Sequence, residues 1–112
     1  MTHPYISAEQ AVFTLITVHN CTAENQRELT ALLTEAASTI YRHLPGFVSA
    51  SVHRSLDGSR VTNYAQWRTR AEFEAVRGIS AVAPFIERVR SLISDADAHL
   101  YEVAAVATPE SQ

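Results

Sequence analysis

Residues 61–68 read Val-Thr-Asn-Tyr-Ala-Gln-Trp-Arg and hold the only tryptophan of the chain. Their composition predicts a strand, and strand alternation sets Val61, Asn63, Ala65 and Trp67 on one face and Thr62, Tyr64 and Gln66 on the other. A carboxamide and an indole therefore share a face with small or apolar neighbours. Both carry N–H donors, and such a face suits a flat aromatic ligand better than a purely packed core. Each also has a plain structural alternative: a tryptophan at a strand end anchors many cores, and a buried amide can bond to a helix end or a turn.

The five histidines are His3, His19, His43, His53 and His99, and no two stand at the His-x-x-x-His spacing of a helical zinc site. Three of them, His19, His53 and His99, fall on three different predicted strands, so only convergence in space would make a metal centre, and none is expected. His53 is a candidate general base, because an unperturbed imidazole titrates near pH 6.5. Its alternative is a solvated residue at a hairpin mouth, and strand parity sets it apart from Val48, Ala50 and Val52. Arg88 and Arg90 have Glu87 beside them, the usual pattern of a solvated helix face. Tyr41, Tyr64 and Gln66 are amphipathic and suit structural roles as well as chemical ones. No phosphate-binding glycine loop, nucleophile elbow or dinucleotide fingerprint is present.

The elements that must position these side chains follow from apolar spacing. Residues 11–19 place Val12, Phe13, Leu15, Ile16 and Val18 on both faces, as in a central strand. Residues 24–44 repeat apolar positions at three and four residue steps and predict an amphipathic helix, capped by Thr22 and stopped by Pro45-Gly46. Two strands, 47–54 and 60–67, flank Asp57-Gly58, which supplies the positive φ that a short hairpin needs. Thr69 and Glu72 form a capping box opening a second helix that runs to about Gly78. Ser80 and Pro84 open a third helix toward Ser94, and residues 99–106 form the last strand.

This order is the split βαβ plan of an α+β, ferredoxin-like domain, with a four-stranded antiparallel sheet covered by helices on one face. Val48, Ala50, Val52, Val103 and Ala105 are too apolar to leave the other face in water, so a second copy is expected to cover it, giving a dimeric α+β barrel.

With 112 residues, 46% of them hydrophobic, the chain fits a single domain over 1–112, with an N-terminal arm at about 1–10 and a polar tail at 108–112. Nine Lys and Arg against twelve Asp and Glu, without a basic run, exclude nucleic acid as an expected partner. The lone Cys21 can form neither an internal disulfide nor a thiolate zinc site, and neither a signal peptide nor a membrane-length apolar stretch is evident. A cytoplasmic protein without membrane contact is expected.

Leu44-Pro45-Gly46-Phe47, then Asp57-Gly58, then Asn63-Tyr64-Ala65-Gln66-Trp67 resemble the antibiotic biosynthesis monooxygenase family. The complete Asn-Tyr-Ala-Gln-Trp run is most similar to its quinone-forming members, the anthrone oxygenases of aromatic polyketide pathways such as those of actinorhodin and tetracenomycin. The resemblance implies a homodimeric barrel that oxidises an anthrone or phenolic carbon of a polycyclic substrate to a quinone with O2, using no flavin, haem or metal cofactor. It assigns catalytic roles to Asn63 and Trp67 and, through a third-helix arginine, to Arg88 or the neighbouring Glu87 position. His53 or a water is the expected base. Asn20, Phe73 and Tyr64 are candidate substrate contacts, Phe73 standing where several relatives carry a tyrosine.

Donors aimed at a carbonyl oxygen favour loss of the anthrone methylene proton, and the resulting carbanion can reduce O2 itself. A polyketide cyclase on the same barrel, and a ligand-binding or stress-response dimer without chemistry, are the alternatives. A haem-degrading relative would need a third-helix histidine, and Phe85-Ile86-Glu87-Arg88 supplies none.

Overall fold

The structure, a computed structural model, describes residues 12–110, so the expected arm at 1–10 and the last two residues of the tail lie outside the described residues. Its elements are β1 (Phe13–Asn20), α1 (Ala23–Thr39), a 3-10 turn (Tyr41–His43), β2 (Phe47–Arg54), β3 (Arg60–Trp67), α2 (Arg70–Glu74) continuing into a 3-10 turn (Ala75–Gly78), α3 (Val82–Leu92) and β4 (Asp95–Tyr101). The four strands pair antiparallel in the order β2-β3-β1-β4, the ferredoxin-like α+β arrangement. β1 and β3 are central, and α1 packs on α3 and against β2 and β3. No helix among the described residues is long and apolar enough to cross a membrane.

The core lies between helices and sheet, where Leu29, Leu32 and Ala36 of α1 and Val82 of α3 meet Val61, Ala65 and Trp67 of β3. Each fully buried leucine contributes on the order of 1.5–3 kcal/mol by leaving water. Helix starts are built as expected: the Thr22 hydroxyl accepts from the Asn25 N–H at 3.3 Å. At the second helix the Thr69 hydroxyl accepts from the Glu72 N–H and donates to the Glu72 carboxylate, both at 3.1 Å. The β2–β3 turn uses Gly58 at φ 81°. Here the Asp57 carboxylate accepts from the Ser59 hydroxyl, the Ser59 N–H and the Ser55 hydroxyl, which together hold its pKa at about 2.

Three expectations are corrected. The first helix ends at Thr39 rather than Leu44, because Ile40 leaves the helical region at φ −121°. Just before it, the Ser38 and Thr39 hydroxyls bond back to the Thr34 and Glu35 carbonyls, a local competition that weakens a helix end. The last strand runs over Asp95–Tyr101 rather than 99–106. It is pinned there because the Asn20 carbonyl accepts the Ser94 N–H at 2.9 Å and the Asn20 amide donates to Asp95 at 2.9 Å, so pairing with β1 starts immediately after α3.

Third, Ala50 and Val52 do not form the bare sheet face. An irregularity between Phe47 and Ser49 shifts parity, so Phe47 opposes Trp67 while Ala50 opposes Ala65 and Val52 opposes Asn63, all on the helix side. Val103 and Ala105 lie beyond β4. The far face instead presents Thr14, Ile16, Val18, Asn20, Ser51, His53, Thr62, Tyr64, Gln66, Asp97, His99 and Tyr101. It is more polar than expected, although Thr14 and Gln66 on it are buried and joined by a 3.4 Å hydrogen bond.

Candidate active site

A cavity of about 420 Å³ opens between the helix layer and the sheet. Its floor is the helix-side face of the central strands, with Leu15, Thr17 and His19 of β1 beside Asn63, Ala65 and Trp67 of β3. Ala50, Ala96 and Ala98 extend the floor outward, and their small side chains leave the space open. The roof is Leu33, Ala36 and Ala37 of α1, Phe73 and Val76, and the Phe85, Ile86, Val89 and Arg90 stripe of α3. Most of this lining is apolar, and the cavity has the size range of a site for one polycyclic ligand.

Strand pairing fixes the order of the polar groups along the floor. Trp67 lies at one end; Asn63, opposite Thr17, lies four residues along β3, about 13 Å away at strand spacing. His19, opposite Val61, comes next. Trp67 is 3% exposed and held by an edge-on contact with Phe47 at 5.4 Å and a tilted one with Phe73 at 6.2 Å. Such contacts fix the indole plane. No side-chain or carbonyl group among the described residues takes up the Asn63 amide or the Trp67 indole N–H, and neither atom is sealed from solvent. These donors are available to a ligand.

His19 is buried, and its Nδ1 stands 3.0 Å from the Val61 carbonyl. Burial lowers its pKa from 6.5, opposed by that hydrogen bond, so near neutral pH the ring is uncharged. Tyr41 borders the cavity from the turn after α1, and burial raises its phenol pKa. Arg90 sits at the rim, largely exposed, donating to Glu87 at 3.1 Å.

Of the sequence candidates, Asn63, Trp67 and Phe73 come together in the cavity, whereas His53, Arg88, Asn20 and Tyr64 do not line it. His53 is exposed on the far face, with its Nε2 3.0 Å from the Ser51 hydroxyl. Tyr64 is on the same face, opposite Ile16 and Ser51. Asn20 is committed to tying β1 to Asp95 and Ser94. Arg88 is exposed, its guanidinium 5.9 Å from the Phe85 ring centre. His19, His53 and His99 do not converge, since His19 faces the cavity and the other two the far face. No cluster of three metal-ligating side chains occurs among the described residues.

Residues 12–94 match the family described as antibiotic biosynthesis monooxygenase. A tetracenomycin-F1 monooxygenase from Streptomyces glaucescens is 42% identical over 87 residues, 78% of each chain. The chain belongs to the antibiotic biosynthesis monooxygenase family. Among solved structures, a monooxygenase from the ActVA-Orf6 gene of Streptomyces coelicolor, in complex with nanaomycin D, is 26% identical and superposes with a TM-score of 0.74, covering 90% of this chain and 94% of that one. SnoaB, a cofactor-independent oxygenase from Streptomyces nogalater, is 19% identical with a TM-score of 0.75, covering 89% and 99%, and shares the fold.

Within this antibiotic biosynthesis monooxygenase fold, four polar cavity residues are not among the site residues put forward from the sequence: Thr17, which was not weighed there, and His19, Tyr41 and Arg90, which were weighed only in other roles. Arg90 was recoverable from helical phase, because it lies four residues after Ile86 on the cavity stripe, whereas Arg88 falls off it. His19 was not. Its strand is apolar on both faces, so only the β1–β3 register shows which face looks into the cavity.

Proposed function

We propose that this member of the family is a cofactor-independent monooxygenase that converts the methylene or phenolic carbon of a polycyclic anthrone to a quinone carbonyl with O2. The observation that carries this reading is the presence of two N–H donors without a partner among the described residues, Asn63 and Trp67, on the floor of an apolar cavity. The 42% identity to a tetracenomycin-F1 monooxygenase supports it. A planar substrate lies along the floor with its carbonyl oxygen on the Asn63 amide and another ring oxygen toward the Trp67 indole N–H. Charge that develops on this oxygen as the methylene proton leaves is stabilised there. The carbanion passes an electron to O2, radical recombination forms a carbon–oxygen bond, and the hydroperoxide loses water to leave the ketone. One oxygen atom enters the product and the other leaves as water.

Phe73 closes the cavity beside Trp67 as an apolar contact for the rings. A second copy of the chain covers the far sheet face, where Ile16, Val18 and Tyr64 are half-buried, and a reducing cytoplasm suits the lone thiol of Cys21. The test is oxygen uptake by protein stripped of metal and flavin and given dithranol, a dihydroxyanthrone, with the product weighed by mass spectrometry. The anthraquinone mass is expected. Uptake at the uncatalysed rate with dithranol recovered unchanged overturns the oxygenase reading in favour of a cyclase or a binding protein.

A further inference from the structure

The proposed reaction needs a proton acceptor, and the cavity itself restricts the choice. Of the described side chains that line it, only His19, Tyr41 and Arg90 carry titratable or permanently charged groups, and no carboxylate is among them. Arg90 has no lone pair to offer and is turned to Glu87. Tyr41 stays a neutral phenol, since burial raises its pKa, and so donates rather than accepts. His53, the base expected from sequence, is on the other side of the sheet.

His19 has the remaining requirements. A carbonyl oxygen only accepts hydrogen bonds, so the Nδ1 that meets the Val61 carbonyl carries the ring proton, and Nε2 holds the lone pair. Nε2 has no partner among the described residues and is not sealed off. The pairing of His19 with Val61 makes Asn63 its diagonal neighbour on the same face, at about 7–8 Å between backbones. That spacing lets the amide address the carbonyl edge of a ring while the imidazole reaches the methylene on the opposite edge of the same ring.

We propose that His19 is the catalytic base of this site, its Nε2 removing the methylene proton of the substrate whose carbonyl is held by Asn63. The inference rests on the anthrone reading above. The bond broken is C–H; its electron pair stays on carbon, and His19 becomes the imidazolium. After the carbanion has been oxidised by O2, the imidazolium returns its proton to the peroxide oxygen. Neutral His19 then takes the second C–H proton as the O–O bond breaks and the C=O bond forms, and passes it to the departing hydroxide, which leaves as water, so His19 ends the cycle neutral.

The test separates proton removal from oxygen chemistry by following exchange of the dithranol methylene hydrogens with D2O under strictly anaerobic conditions, alongside oxygen uptake in air. His19→Asn keeps an N–H near the Nδ1 position for the Val61 carbonyl but has no base. Expected is wild-type exchange above the buffer rate, a fall of about 10²–10⁴-fold in His19→Asn, and little change in anaerobic dithranol affinity. The wild-type rate should also lose activity on an acid limb with its midpoint below 6.5, and the variant should lack that limb. If His19→Asn does not fold, His19→Gln, and His19→Gly supplemented with free imidazole, replace it, and partial restoration by imidazole is the expected result. A wild type that oxidises dithranol with His19→Asn equally fast overturns the assignment and leaves the anthrone reading intact. A wild type that neither exchanges nor oxidises overturns both.

Discussion

The two faces of one sheet carry similar residue types and do different things. The helix side holds His19, Asn63 and Trp67 around a cavity; the far side holds His53, Asn20 and Tyr64, the same chemical inventory one residue out of phase. On the far side the polar groups are spent or exposed: Asn20 on Asp95, His53 beside Ser51. On the cavity side the Asn63 and Trp67 donors have no partner among the described residues, and the imidazole is buried and uncharged near neutral pH. What separates a functional asparagine or histidine from a structural one here is parity and register, not residue type.

The sharpest way to break this contrast is to empty each face in turn. Asn63→Ala with Trp67→Phe should cut dithranol oxidation by about 10²–10³-fold, the loss expected when donors to a developing oxyanion are removed. His53→Ala with Tyr64→Phe should leave the rate unchanged, as read by oxygen electrode. Equal losses from both pairs would end the distinction between the faces.

A second contrast concerns packing. Trp67→Ala removes a side chain that is 3% exposed and wedged between Phe47 and Phe73, and should lower unfolding stability by about 3–5 kcal/mol in urea titration. Trp67→Phe should cost much less and thereby separate the indole's donor role from its packing role. The helix start that carries Phe73 offers a smaller probe: Thr69→Ala deletes the capping hydroxyl and should cost about 0.5–2 kcal/mol, seen as a lower Tm.

The smallest expected effects are in pH dependence, and their pattern distinguishes the buried imidazole from an exposed turn. The folded pKa of His19 lies below 6.5, so as pH falls through 6.5 the unfolded chain takes up the proton first and stability declines until the folded value is passed. His19→Asn should flatten that decline in denaturation curves measured between pH 5 and 7. Asp57 is lowered to about 2, so its contribution is present above the ordinary 3.8 and is lost as pH falls toward 2, a window in which Asp57→Asn should differ from wild type. Its exposure keeps that effect small.

Periodicity and punctuation made much of the framework legible in the sequence: the hairpin at Asp57-Gly58, the caps at Thr22 and Thr69, and the strand face shared by Asn63 and Trp67 are all local. The early end of α1 was local too, but apolar spacing does not report hydroxyls turning back onto their own helix. Three features were not local: the place of β4 depended on Asn20 meeting Ser94 and Asp95 from the far end of the chain. The irregularity at Phe47/Ser49 reversed which residues of β2 look inward, and the pairing of β1 with β3 decided that His19 joins Asn63. Alternation along a strand is set by its own backbone, and the chain could state it alone. Which side of a sheet becomes a cavity, and which distant side chain becomes a diagonal neighbour, is set by hydrogen bonds between strands that only the folded sheet contains.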